Sequence, residues 1–197
     1  LNKPFPWTQD VILKTFKFTN VYRILDNGTQ YVLKNVLNNK HSAIDKLFNC
    51  FIYRIFNRET TYDQVDFTSI GEFNKQEISL KLKKWEKMGN TIFTSAFLTS
   101  AHFFYQPPKV IPDKIDKYCE VIEEIQLGLS KVFEEIKGVD MSTCHSKLKS
   151  FTGIGKFLSY QIMLDAMYDN ILPYSENDWS FAFLGCARGL KHIFPDL

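Results

Sequence analysis

The stretch KSFTGIGKFLSYQ, Lys149 to Gln161, sets two glycines around one isoleucine, with lysines close by on both sides. Glycine reaches backbone conformations that other residues resist. Gly153 and Gly155 in a tight turn can aim backbone N–H groups outward, alongside those of a following helix N-terminus. Such a nest holds a phosphate without reading sequence. Lys147, Lys149 and Lys156 would add a salt-dependent attraction. A plain turn between two packed helices needs the same glycines and no ligand, and Gly-Ile-Gly alone favours that simpler reading.

The charge around the turn sharpens the choice. From Met141 to Phe157 there is no acidic residue. The preceding stretch, Asp113 to Gly138, is acidic on its exposed face, with Asp116, Glu120, Glu123, Glu124, Glu134 and Glu135. A solvated helix face explains those acids most simply. The chain as a whole carries only +2. Bulk charge therefore announces no polyanion partner, and a local field would have to do the work.

The elements that must carry this turn read as helices. The segment TQDVILKTFKFTNVYRIL opens at an N-cap, Thr8, and carries an apolar stripe; DNGT breaks it, and TQYVLKNVL restarts it. Ser42 to Asn57 puts Leu47, Phe51, Ile52 and Ile55 on one face. RETTYDQVDFTSIGEF has weak pattern and reads as a connector. NKQEISLKLKKWEKMG is amphipathic, with Gly89 placed to end it. TIFTSAFLTSAHFFY is apolar nearly all round, which predicts a central buried helix, and QPPKVIP must be a loop. Asp113 caps the acidic helix. Ser142 caps a short helix through Phe151, and a second helix starts near Gly155, giving a helix–hairpin–helix at about 142–168.

The expected fold class is all-α, as one helical domain over 1–197 with residues 1–15 as an extended arm. At 197 residues the chain can bury a sizeable core. No apolar run is long enough to span a membrane, and the first residues lack the apolar core of a signal peptide. Cys50, Cys119, Cys144 and Cys186 are too scattered for a disulfide scaffold or a metal knuckle, and the four histidines are equally dispersed. No metal or cofactor is expected, and a reducing compartment is. That means cytoplasm in a phage-infected or bacterial cell, or the nucleus of a eukaryote. A phosphate-binding P-loop motif is absent.

Phe-Thr-Gly-Ile-Gly-Lys resembles the helix–hairpin–helix of base-excision DNA glycosylases. That resemblance implies a two-lobed helical fold with a cleft, and a catalytic aspartate some twenty residues past the hairpin. Asp178, 25 residues after Gly153, stands there, and an aspartate beginning a helix can equally be an N-cap. Thr152 stands where the family usually has proline. Phe157 stands where its lyase members have a nucleophilic lysine, which argues against a Schiff-base mechanism.

A second resemblance covers more of the chain. FTNVYRILDNGTQYVL, FNCFIYRIFN, NTIFTSAFL, FTGIGKFLSYQIMLD and DWSFAFLGCARGLKHIF occur in the order seen in the helical domain of 5-hydroxymethyluracil DNA kinase. That domain is grouped with the α-glutamyl/putrescinyl-thymine pyrophosphorylases. The resemblance implies duplex DNA with a flipped base as substrate, and transfer of an amine or amino acid onto an activated 5-methylene group. It also implies a kinase domain or protein as partner. The matching polar residues are Asn20, Arg23, Asp26, Thr29, Arg54, Asn57, Thr94, Gln161, Asp165, Asp178 and Arg188. Arg23, Arg54 and Arg188 suit a pyrophosphate leaving group. Asp178 or Asp165 suits proton removal from an amine or water. Asn20, Asn57 and Gln161 suit a base edge. Each has a plainer use: the arginines as buried ion pairs, Gln161 and Asp165 as an i, i+4 pair, and Asp26 with Thr29 as a cap. Three functions stay open on these residues: the transferase, a glycosylase without lyase activity using Asp178, and a DNA-binding module of a larger modifying protein.

Overall fold

The computed structural model describes residues 8–16, 18, 20, 22–94 and 113–196. Among them the secondary structure is helical throughout, with no strand, so the fold is all-α. The expected helix at 91–105 lies, from residue 95 onward, outside the described residues, as does the loop at 106–112.

The first long segment does not form the single helix its stripe predicts. Helix α1 spans only Val11–Thr15, capped by Asp10 rather than Thr8, and buries no side chain. Val11, Ile12 and Leu13 stay exposed. An amphipathic pattern makes a stable helix only when its apolar face finds a partner, and two of these residues are branched at Cβ. A 3-10 turn follows at Arg23–Leu25. DNGT then starts a helix instead of breaking one. Asp26 accepts from the Thr29 amide and opens α2, Asn27–Tyr31, which runs on through π-helical turns at Val32–Leu37.

Helix α3, Ala43–Phe56, is the centre of the molecule. Ser42 caps it and Asn57 closes it in the left-handed conformation. Every residue from Leu47 to Phe56 is buried, far beyond the one face that the spacing suggests. That burial needs partners on all sides. The π-helical segment, α4 (Glu59–Val65), α6 (Lys114–Glu135) and α8 (Lys156–Tyr168) supply them. Helix α4 lies inside the stretch that reads as a connector. It is short and threonine-rich, and it is held by burial of Thr61, Tyr62 and Val65 rather than by propensity.

Helix α5, Lys75–Lys87, ends as expected, with Gly89 at φ 89°. It lies along α6, where Ser79 and Lys83 both bond Asp116. Asp113 caps α6 through the amides of Ile115 and Asp116. Helix α7 is Met141–Leu148. Asp140 caps it, not Ser142, and it stops before Phe151. Asp140 can reach both the amide and the hydroxyl of Thr143, so it outcompetes the serine two residues on. Helix α9, Leu184–Ile193, buries none of its residues. No helix among the described residues is long and apolar enough to cross a membrane.

Where α6 faces the α7–α8 turn, Gly128 is a close approach. A Cβ there would stand 2.9 Å from the Phe151 ring, which is itself wedged edge-on against Phe51. Alanine would gain about 1 kcal/mol of helix propensity but overpack this contact by about 1–3 kcal/mol. We expect Gly128→Ala to lower the urea midpoint of unfolding. A raised midpoint would mean that the ring yields.

Candidate functional site

Helices α3 and α8 meet through a buried ion pair. The Arg54 guanidinium donates from Nε and Nη2 to the two Asp165 oxygens, each at 2.6 Å. Both residues are 1% exposed. Nη2 also donates to the Thr29 hydroxyl at 3.2 Å, and Nη1 to Asn57 Oδ1 at 3.4 Å. The planar fork and the carboxylate match in geometry, which makes this the strong form of ion pair. Burial works against the Arg54 charge, but Asp165 outweighs it and holds the pKa up. Burial pushes the Asp165 carboxyl up, against the pull of Arg54.

Arg23 joins this group from the 3-10 turn. Its Nη2 lies 3.3 Å from Asp26 Oδ2. Its Nε and Nη2 are buried and make no hydrogen bond among the described residues. Burial and then the like charge of Arg54 lower its pKa, while Asp26 and Asp165 oppose them. Gln161 lies one turn before Asp165 on α8 and is buried, and its Oε1 has no hydrogen-bond partner among the described residues. Asp165 is engaged by Arg54, and no i, i+4 bond joins it to Gln161.

Beside this network opens a cavity of about 380 Å³. Asp26 and Gly28 line it from the start of α2, Tyr53 and Asn57 from the end of α3, and Arg58, Glu59 and Thr60 from the start of α4; Thr94 completes it. Gly28 is the close approach here. A Cβ on it would stand 3.0 Å from the Tyr53 hydroxyl and 3.2 Å from Asp26 Oδ2. Of the polar residues singled out in the sequence, Arg23, Asp26, Thr29, Arg54, Asn57, Thr94 and Asp165 thus gather in one region.

Three others stand apart from that network. Asn20 is exposed and staples its own segment by donating to the Leu25 carbonyl at 3.0 Å. Asp178 is exposed in a turn, does not cap a helix, and accepts from the Ser175 amide at 2.8 Å. Arg188 is exposed on α9.

The glycine turn connects α7 to α8. Only Gly153 needs its freedom, at φ 77°. Gly155 is extended, at φ −77°, so the expectation of two special conformations is halved. Gly155 caps α8 without a side chain, and a Cβ on it would meet nothing within 4 Å among the described residues. Lys149 and Lys156 are exposed, and the Lys156 ammonium lies 5.4 Å from the centre of the Phe181 ring. The acid-free stretch is not acid-free in space. Lys147 pairs with Glu135 at 2.6 Å, and Glu124 accepts from the Thr152 hydroxyl at 2.6 Å.

His145, which the sequence did not single out, pins this turn. Its Nε2–H donates to the Lys156 carbonyl at 2.9 Å, and its ring packs against Trp179, Tyr160 and Phe181. Phe157, in the place of the lyase lysine, packs edge-on against Phe183. Sequence reading also passed over Gly28, Tyr53 and Glu59. The glycine in DNGT was the one available sign of close packing.

The fold and the site together define a helical domain whose buried Arg–Asp pair backs a polar cavity, with a glycine turn at the head of α8. Comparison with known proteins places it further: the chain belongs to the family described as 5-hmdU DNA kinase, helical domain, which it matches over residues 1–197. It is 26% identical over 212 residues to the 5-hmdU DNA kinase of Bacillus phage SP10. That alignment takes in 99% of this chain and 33% of the relative, so the chain spans a third of that protein's length. No solved structure matches, and the likeness to DNA glycosylases rests on the turn motif alone.

These interactions set two expectations. Asp165→Asn leaves a buried guanidinium without its counter-charge and should cost about 3–5 kcal/mol in chemical denaturation. Arg54→Met with Asp165→Leu should cost less than that single change. Burial lowers the His145 pKa from its usual 6.5, ahead of the opposing bond to Lys156. The unfolded chain then takes up the proton first, so stability is full above the unfolded value and falls as pH drops toward the folded one. His145→Gln should flatten the fall in stability as pH drops below the imidazole's usual 6.5.

Proposed function

We propose that this chain is the DNA-handling domain of a 5-hydroxymethyluracil-modifying protein. The glycine turn and its exposed lysines hold the DNA backbone, and the polar region around Arg54 receives the modified nucleotide. The observation that carries this reading is the convergence of Arg23, Asp26, Thr29, Arg54, Asn57, Thr94 and Asp165 at one cavity-bearing site. Family membership and the name of the phage relative support 5-hydroxymethyluracil as the base. Phosphoryl transfer is assigned to a partner domain or protein, because this chain has no P-loop motif.

A second reading keeps chemistry within the domain: an amine or amino acid displaces an activated group from the 5-methylene carbon. Two cavity carboxylates, Asp26 and Glu59, favour it, since they would attract an ammonium co-substrate. Excision of the base through Asp178 has less support, because that carboxylate sits exposed in its own turn.

Binding to a duplex carrying one 5-hydroxymethyluracil, followed by fluorescence anisotropy over a salt series, tests the main reading. Gly153→Val with Lys156→Glu should weaken binding and reduce the slope of log affinity against log salt by about 1 for every phosphate that is no longer neutralised. Unchanged binding would refute the backbone assignment. Glu124→Gln should act in the opposite direction, because a carboxylate beside the turn repels phosphate. Incubation with the phosphorylated base and an amine, read by nucleoside mass, distinguishes the second reading through a mass gain.

A further inference from the structure

The cavity beside Arg54 has walls whose hydrogen-bonding capacity is unevenly used. Asp26 already accepts from the Thr29 amide and pairs with Arg23. Asn57 accepts from Arg54 through Oδ1, so its Nδ2 amide group is the end left to donate. Arg58 donates from Nε to the Thr60 hydroxyl. Burial pushes the Tyr53 hydroxyl well above its usual pKa, so it keeps its proton and can donate. Glu59, exposed in the first turn of α4, is part of the same cavity's lining, and its carboxylate receives no hydrogen bond or ion pair from the described residues.

This arrangement selects a kind of ligand. Pockets for small ligands begin at about 300 Å³, so the space suits one nucleotide. Arg23 neutralises Asp26, Asp165 neutralises Arg54, and Glu59 stands beside Arg58, so the site offers no excess positive charge to a phosphoryl group. The donors Asn57 and Tyr53 call for carbonyl oxygens. The open acceptor, Glu59, calls for an O–H or N–H group on the ligand. A pyrimidine dione ring presents both through its carbonyls and N3–H, and a hydroxymethyl arm adds an O–H donor at the 5-position that the plain methyl of thymine lacks.

We propose that this cavity takes the extruded pyrimidine, and that Glu59 sets its specificity by accepting a hydrogen bond from the 5-hydroxymethyl hydroxyl. The assignment rests on the DNA-handling reading and deepens it. Gly28 keeps the space open, because a side chain there would press on Tyr53 and Asp26. A hydrogen bond to a charged acceptor discriminates by roughly 10-fold to 100-fold against a ligand that lacks the donor.

Competition binding with otherwise identical duplexes carrying 5-hydroxymethyluracil, thymine or 5-hydroxymethylcytosine tests it. The wild-type chain should prefer 5-hydroxymethyluracil over thymine by about 10-fold or more. Glu59→Ala should bring that ratio close to one, and Glu59→Gln, which keeps an acceptor oxygen, should restore part of it. Gly28→Ala should weaken binding of the hydroxymethylated duplexes. A preference that survives in Glu59→Ala overturns the assignment, as does equal binding of thymine and 5-hydroxymethyluracil by the wild type. That second result leaves DNA binding itself standing. Failure to bind any duplex instead removes the DNA-handling reading on which the assignment depends.

Discussion

The pair between Arg54 and Asp165 is the constraint around which the other contacts are arranged. It joins the two most buried helices, α3 and α8, at a point where neither charge meets water. Such a pair is poor evidence of stability, since apolar residues of the same shape hold a core as well or better. It does fix register. A guanidinium fork met by both carboxylate oxygens accepts one alignment of α3 against α8, whereas apolar contacts tolerate sliding. The remaining donors of Arg54 then pull in Thr29 from α2 and Asn57 from the end of α3. One side chain thereby locates three segments that are distant in sequence, and the cavity opens beside them, between α2, the end of α3 and the start of α4.

The same contact decides which carboxylates are available for chemistry. Asp165 has both oxygens committed to Arg54, so taking a proton there would break the bond that sets the helices. Arg54 is committed in turn, whereas Arg23 keeps buried N–H groups that no described residue accepts, and Arg58 uses only its Nε, on Thr60. The groups able to meet a ligand sit at the margin of the pair, at the end of α3 and on the short helix α4. A rigid buried pair surrounded by shorter elements with free hydrogen-bonding capacity is the arrangement expected of a preorganised site.

Much of the fold was legible in the sequence because its helices carry ordinary punctuation. Ser42, Asp113 and Gly89 mark ends that the structure keeps. The failures share a cause. The stripe near Val11 and Ile12 lacked a partner surface, and a short helix such as α4 exists only because Tyr62 and Val65 are buried. Neither fact is local. At the site, Arg54, Asp165 and Asn57 were legible as polar residues within apolar runs. Their mutual pairing was not, because 111 residues separate Arg54 from Asp165. Glu59 and Tyr53 were invisible for the opposite reason: they look like a surface acid and a core aromatic until the cavity is seen between them. The lysine-rich approach to Gly153 misled in its own way, since α6 brings Glu124 and Glu135 against it from outside that stretch.

Helix α8 ties the two proposed roles together. Its first residue, Lys156, sits at the glycine turn, and Asp165 lies on the same helix about 13 Å further along at 1.5 Å per residue. The helix is buried over most of its length and pinned at its start by His145, so that separation cannot vary. A nucleotide turned out of a duplex stays tethered to the backbone phosphates on either side. If the turn holds those phosphates, a rigid α8 fixes the distance between them and the Arg54 network. Affinity at the turn and selectivity at the cavity are then separate properties linked by one helix. A change at the turn should act on all DNA alike, while a change at the cavity should act on the identity of the base.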